Sequence, residues 1–179
     1  MKILMRAWDS FYKLLMLKAS DEMRIRYLRK LGVKIGQRCR IRTMDFSTEP
    51  YLIEIGDHVA VAANTQFITH DGATWCFEEE VDGGGIFGKI IIGNNVFIGV
   101  NCIILSNTSI GDNCIVGAGS VVRGQFPENS VIAGNPAQVV SKTAIQRMLS
   151  KQNPGLLKTR SLSGTKKDKI VKEHFGIDK

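Results

Sequence analysis

From Ile92 to Val122 a branched aliphatic residue recurs at every sixth position, as Ile92, Ile98, Ile104, Ile110, Val116 and Val122. Glycine follows it at Gly93, Gly99, Gly111 and Gly117. A helical face repeats near 3.6 residues and a strand face near 2, so a sustained six-residue spacing excludes a lone amphipathic helix and an ordinary hairpin. It fits a coil whose short straight segments each put one apolar side chain inward before a sharp bend. A second column stands four residues after each anchor: Val96, Cys102, Thr108, Cys114 and Ser120, all small or β-branched. Upstream, Ile55, Val61 and Phe67 continue the anchors, Val59 and Thr65 the small column, and Ile35 carries Gly36 and Cys39. The repeat therefore occupies about 35–136, with a phase break near 43–53 and a long interruption near 73–89. Large anchors alternating with small residues fill a narrow coil without voids, and Gly or Asn at a corner takes the positive φ of a tight turn. The predicted fold is an all-β solenoid.

The flanks follow another pattern. Residues 5–18 predict a helix with Trp8, Phe11, Tyr12 and Leu15 on one face. Ser20 is a good N-cap for a second helix, with Asp21 and Glu22 in its first turn, Ile25, Leu28 and Leu31 as its buried stripe and Gly32 past its end. An open coil end exposes unpaired backbone, so 1–32 is expected to form a helical cap over it. Peripheral membrane contact through the aromatic, basic residues 5–18 is the alternative use of that helix. The solenoid domain is placed at 33–140, its protruding loop at 73–89. Beyond it, 141–179 is expected to hold a helix over 141–150 and a basic tail with a short helix near 166–174.

Charge is unevenly divided. Residues 1–40 hold eleven Lys/Arg against three acids, 41–136 three against eleven, and 137–179 ten against three, giving +8, −8 and +7. A nucleic-acid module carries its positive charge on the folded platform, so no nucleic-acid partner is expected. The basic ends suit a phosphorylated cofactor, an anionic membrane face or partner chains. Cys39, Cys102 and Cys114 fall in the small column as compact fillers, and Cys76 sits alone in the interruption, so neither metal nor disulfide is expected. Arg6, Asp9 and Lys13 interrupt any signal-peptide core and no apolar run approaches the ~20 residues of a membrane span, which points to a reducing cytoplasm. A thin solenoid core predicts further burial by self-association.

Chemistry concentrates at the interruption. It holds Trp75, Phe77, three consecutive glutamates from Glu78 and three consecutive glycines from Gly83, too polar to continue the coil. Long loops on a rigid repeat are where binding and catalysis tend to sit. Of three histidines, His174 lies in the tail and His58 at a coil corner after Asp57; His70 ends the last coil before the loop. A histidine is the side chain best suited to taking up a proton near neutral pH, and His70, by its place at the loop, is the candidate general base.

Three stretches then carry a resemblance. Residues 110–122 (IGDNCIVGAGSVV), 133–137 (AGNPA), and 67–72 (FITHDG) followed by Trp75 are similar to the signature coil, the closing segment and the His-bearing stretch of the hexapeptide-repeat acyltransferases. The chain looks most like the sugar O-acetyltransferases that decorate bacterial capsule and O-antigen. The resemblance implies a left-handed parallel β-helix, a homotrimer with active sites between subunits, and acetyl-coenzyme A as donor with no metal. It implies transfer of acetyl to a hydroxyl of a sugar or surface-polysaccharide precursor. By position in the matching motifs, Gly99, Val100, Gly117 and Ala118 would meet the pantetheine arm, with backbone near Gly99 stabilising the oxyanion. Arg123, Gln138 and Lys142 would lie near the nucleotide end. Two departures stand out: Ser106-Asn107 replaces a common Pro-Gly, and Gln138 and Ser141 occupy positions often basic in relatives. Asp45, Glu49 and Tyr51 belong to the phase break that faces the His-bearing loop in this family and are candidates for the acceptor pocket. Trp75 would stack on a pyranose ring or pin the loop. The orienting partner of His70 is not legible; Asp71 is adjacent.

Competing readings are acetylation of a small molecule such as a nucleotide amino sugar or an antibiotic, and a non-catalytic scaffold. A γ-carbonic-anhydrase-type metal lyase would need three His per metal, and only His58 and His70 lie in the coil. A serine acetyltransferase would carry a larger N-terminal helical domain.

Overall fold

The computed structural model describes residues 15, 16 and 18–177, so the predicted helix over 5–18 lies almost entirely outside the described residues. The chain forms two compact units, one ending at Thr143 and the other starting at Ala144.

The first unit is a parallel β-solenoid of about five turns built from three stacked sheets. The first sheet takes Lys34–Ile35, Ile53–Ile55, Ile90–Ile92, Thr108–Ile110 and Gln125–Phe126. The second takes Arg40–Ile41, Ala60–Val61, Phe97–Ile98, Ile115–Val116 and Ser130–Gly134, and Ala137–Lys142 returns antiparallel along its last strand. The third takes Asp45–Phe46, Gln66–Phe67, Ile103–Ile104 and Val121–Val122. Phe97 faces Ile115 and Ile103 faces Val121, so a regular turn takes 18 residues, three hexapeptides. Apart from a spacing of 5 between Ile41 and Phe46, the irregularities fall on one edge, where the third sheet passes to the first. From Phe46 to the next anchor, Ile55, is 9 residues instead of 6; from Phe67 to Ile92 is 25; from Val122 to Phe126 is 4.

The anchors fill the interior: Ile41, Val61, Phe67, Ile92, Ile98, Ile104, Ile110, Val116, Val122 and Ile132 are all buried, and Phe46 and Phe67 stack with centroids 4.6 Å apart. The small column does more than fill space. Its donors reach carbonyls of the next turn: Thr65 Oγ1 to Gly99 O at 2.8 Å, Thr108 Oγ1 to Val122 O at 3.1 Å, Cys102 Sγ to Gly117 O at 3.2 Å and Cys114 Sγ to Pro127 O at 3.3 Å. The two threonine bonds satisfy backbone acceptors that burial removes from water, and the two thiols pair partly buried ones. Burial pushes the Cys102 and Cys114 thiols up, away from the reactive thiolate.

Corner chemistry divides between two residue types. The left-handed position three residues after an anchor belongs to asparagine, at Asn64, Asn95, Asn101, Asn107, Asn113 and Asn129, joined by Arg38 and His58. The glycines that follow the anchors have ordinary φ and are small because the next turn lies against them. A Cβ on Gly99 would stand 2.6 Å from Ala118 N, and one on Gly111 2.6 Å from Glu128 N.

Helix α1 (Asp21–Lys30) covers the first turn. Ser20 accepts from Met23 N at 3.3 Å, and Ile25 and Leu28 are buried, but Leu31 is 38% exposed. Leu31 leaves the expected stripe because it is the C-cap, where the chain turns away through Gly32 at φ 101°. Arg29 donates to Ile35 O and Gly36 O, both at 2.7 Å, pairing carbonyls that have no preceding turn to meet. The buried Arg24 pairs with Asp21 at 2.9 Å, which Arg42 approaches to 3.3 Å. The second unit contains most of α2 (Thr143–Gln152) and α3 (Gly164–His174), the latter carrying a Lys169–Glu173 pair at 3.6 Å. No helix among the described residues is long and apolar enough to cross a membrane.

The close glycine and the left-handed asparagine respond differently to substitution. Gly111→Ala overpacks two backbones and lowers the unfolding free energy by about 2 kcal/mol. Asn101→Gly keeps an accessible φ and costs under about 1 kcal/mol. Urea denaturation of both variants checks the order; equal losses would contradict it.

Candidate active site

The three extra residues between Phe46 and Ile55 build a raised corner. It consists of Ser47 (φ 40°), Thr48 and Glu49, then a 3-10 turn at Pro50–Leu52. One turn along the same edge, Thr69 and His70 follow the anchor Phe67. Here the chain leaves the coil: His70–Asp71 pairs antiparallel with Ile86–Phe87, and a 3-10 helix, Gly72–Phe77, lies between them. Asp71 caps that helix by accepting from Ala73 N at 3.0 Å, and Gly88 N donates to Thr69 O at 2.8 Å to close the loop's root.

The raised corner sets Glu49 against the imidazole. Glu49 Oε2 lies 2.9 Å from His70 Nδ1, the Thr69 hydroxyl donates to the same oxygen at 2.8 Å, and Thr48 Oγ1 donates to Oε1 at 2.6 Å. The Thr48 hydroxyl bond, then those from His70 and Thr69, outweigh desolvation and hold the Glu49 carboxyl down at about 2. Glu49 is thus ionised at neutral pH and favours the tautomer in which Nδ1 carries the proton. In a neutral ring that tautomer leaves Nε2 its lone pair, on an imidazole 43% exposed. Such an arrangement can act as a carboxylate-oriented base open to a ligand. Phe87 packs beside the ring, with centroids 6.2 Å apart.

The remaining candidates are spread over the coil. Gly99, Val100, Gly117 and Ala118 share the edge between the second and third sheets, where Gly119 N donates to Val100 O at 2.9 Å. Gly99's own N–H is committed to Val116 O at 2.9 Å, so an oxyanion donor from this stretch has to be another amide. Arg123 lies on His70's edge. Its Nη2 reaches Asp71 Oδ2 at 3.1 Å, and Asp71 is held below the usual carboxylate range first by the Ala73 amide and then by Arg123. Gln138 and Lys142 stand on the terminal antiparallel strand, opposite Ala133 and Ser130. Asp45 faces outward in register with Gln66, Tyr51 packs on Gly32, and Trp75 is 77% exposed in the loop's 3-10 helix. Of the acceptor-pocket candidates, the structure joins Glu49 to His70, and among the described residues Asp45, Tyr51 and Trp75 hydrogen-bond to neither.

His58 stands apart, on the edge between the first and second sheets, its Nδ1 2.8 Å from Asn95 Oδ1. His174 is in α3. Among the described residues no group of three or more His, Cys, Asp or Glu is placed to hold a metal ion. Residue patterning missed Ser47, Thr48 and Thr69. The phase break was their signal, since extra residues at a corner have to project somewhere.

Because Glu49's folded value lies below its ordinary 4.5, its contribution to stability is complete above about pH 4.5 and is lost as pH falls toward about 2. The melting-temperature difference between wild type and Glu49→Gln therefore holds steady from neutral pH down to about 4.5 and shrinks below it. A difference that persists undiminished to about pH 2 would contradict the assignment.

Comparison with known proteins agrees with this architecture. The family described as bacterial transferase hexapeptide (six repeats) matches residues 89–124. Protein CapG of Staphylococcus aureus is 46% identical over 133 residues, 73% of this chain and 75% of that protein. Galactoside O-acetyltransferase of Escherichia coli (strain K12) is 38% identical over 92 residues, 51% of this chain and 45% of that protein. Among solved structures, a hexapeptide-repeat-containing acetyltransferase of Vibrio cholerae complexed with acetyl coenzyme A is similar at a TM-score of 0.61 and 25% identity, over 76% of this chain and 86% of that one. With its 18-residue turns, its closing hairpin and these relatives, the chain belongs to the hexapeptide-repeat family of acetyltransferases.

Proposed function

We propose that the protein transfers the acetyl group of acetyl-coenzyme A to a hydroxyl of a sugar or surface-polysaccharide precursor, with His70 as general base. The observation that carries this reading is the 2.9 Å pair between His70 Nδ1 and an ionised Glu49 at the root of the protruding loop. Nε2 takes the acceptor hydroxyl's proton as its oxygen attacks the thioester carbonyl. Glu49 stabilises the resulting imidazolium. Collapse of the tetrahedral species expels the coenzyme A thiolate, which recovers the proton from His70. The galactoside relative supports a sugar acceptor, and the acetyl-coenzyme A complex of the Vibrio protein supports the donor.

The topology supports a site completed by a second chain. Gly99, Val100, Gly117 and Ala118 lie on one edge of the third sheet, and His70 and Arg123 on the other. A donor held along the first edge would reach the base of a neighbouring protomer in a homotrimer. Gln138 and Lys142 would extend the donor site toward the nucleotide, Asp45, Tyr51 and Trp75 would meet the acceptor, and Arg123 would steer anionic groups while anchoring Asp71. The reaction uses no metal.

Coenzyme A release monitored with a panel of sugar acceptors tests the base. His70→Ala folds and loses about 10²–10⁴-fold in kcat; a folded variant turning over at the wild-type rate overturns the reading. Ala118→Trp obstructs the donor edge from an exposed position and is also inactive. Co-expressing it with His70→Ala restores activity if two chains share a site. Two variants that stay inactive together indicate a site within one chain.

A further inference from the structure

We infer that Thr69 is a positioning residue, whose buried hydroxyl clamps the Glu49 carboxylate in the orientation that presents His70. The inference rests on His70 being the base. Thr69 has no solvent exposure, and its Oγ1 lies 2.8 Å from Glu49 Oε2 and 2.8 Å from Ser47 Oγ. Its neighbours along the interior are mostly apolar, and valine would fill the same volume. A hydroxyl kept at a fully buried position needs partners to offset its desolvation, and here the partners are the raised corner itself.

Geometry explains why the carboxylate needs a clamp. The terminal torsion of a glutamate is broad, so one contact with an exposed imidazole leaves the carboxylate free to swing. Thr48 holds Oε1, but it is itself an exposed residue of the same corner and moves with Glu49. Thr69 belongs to the next turn and immediately precedes His70. It ties Oε2, the oxygen that faces Nδ1, to the backbone that carries the imidazole. Thr69 N also donates to Ser47 Oγ at 3.3 Å, and Thr69 O accepts from Gly88 N at 2.8 Å. These backbone bonds survive Thr69→Val, so that substitution isolates the hydroxyl.

The experiment compares Thr69→Val, Thr69→Ser and His70→Ala in coenzyme A release across pH, with folding checked by circular dichroism. Thr69→Val is expected to lower kcat roughly 10-fold with the KM for acetyl-coenzyme A within about twofold. It also weakens the hold on the carboxylate anion, so Glu49 titrates at higher pH in the variant. Thr69→Ser restores the hydroxyl and returns kcat to within about threefold of wild type. Should Thr69→Val fold poorly, Thr69→Ala removes the same donor and is read by the same criteria. A folded hydroxyl-less variant with wild-type kcat, beside an inactive His70→Ala, overturns the positioning role and leaves the base standing. An active His70→Ala overturns the base reading itself. A Thr69→Ser variant no better than Thr69→Val reduces the threonine to packing.

Discussion

Parallel pairing of strands only two or three residues long leaves little freedom in where a turn puts its side chains. With 18 residues per turn and an interior only wide enough for one anchor and one small residue per hexapeptide, a shift of one residue would send every anchor outward. The backbone approach at Gly99 and Gly111 and the left-handed asparagines are consequences of that tight spacing. So are the inward hydroxyls and thiols, which pair carbonyls that the neighbouring turn would otherwise bury unsatisfied. Variation is confined to the edges.

In the proposed reaction one edge carries the base. Three residues inserted after Phe46 and the long excursion after Phe67 fall on consecutive turns, so the first insertion overhangs the start of the second. Glu49 arrives against His70 while the anchors that precede them, Phe46 and Phe67, keep the coil's register. Hydrogen bonds from Thr48, His70 and Thr69 favour the Glu49 anion, and an anion there favours a proton on the ring nitrogen that faces it. A rigid coil supports the corner from below, which suits a group that must hold its orientation while a substrate comes and goes.

The repeat was readable because every anchor does the same job: Ile92 to Val122 has one period, and the period alone names the architecture. Helix α1 was readable from Ser20 and its acidic first turn, although Leu31 is exposed by the C-cap and Arg24 is buried against Asp21 where a cation on a helix usually points to water. His70 drew attention by standing at the loop. Its contact with Glu49 was hidden because it depends on a 21-residue register at the irregular turn, and the phase break announced that residues projected without saying in which direction. Thr69 was invisible for a related reason: in a pattern of branched residues, threonine and valine look alike, and only the partner across the edge distinguishes them. Asn107, at a position where relatives commonly have glycine, carries the same left-handed turn.

The tautomer of His70 tests the account at its centre. In protein labelled with nitrogen-15 at histidine, and with signals assigned by comparison with a His70→Gln variant, the neutral imidazole should carry its proton on Nδ1 and show a bare Nε2, with the Nδ1 proton lost to rapid exchange only when Glu49 is replaced. A neutral ring protonated at Nε2 would mean that Glu49 does not orient it and that no lone pair faces the acceptor.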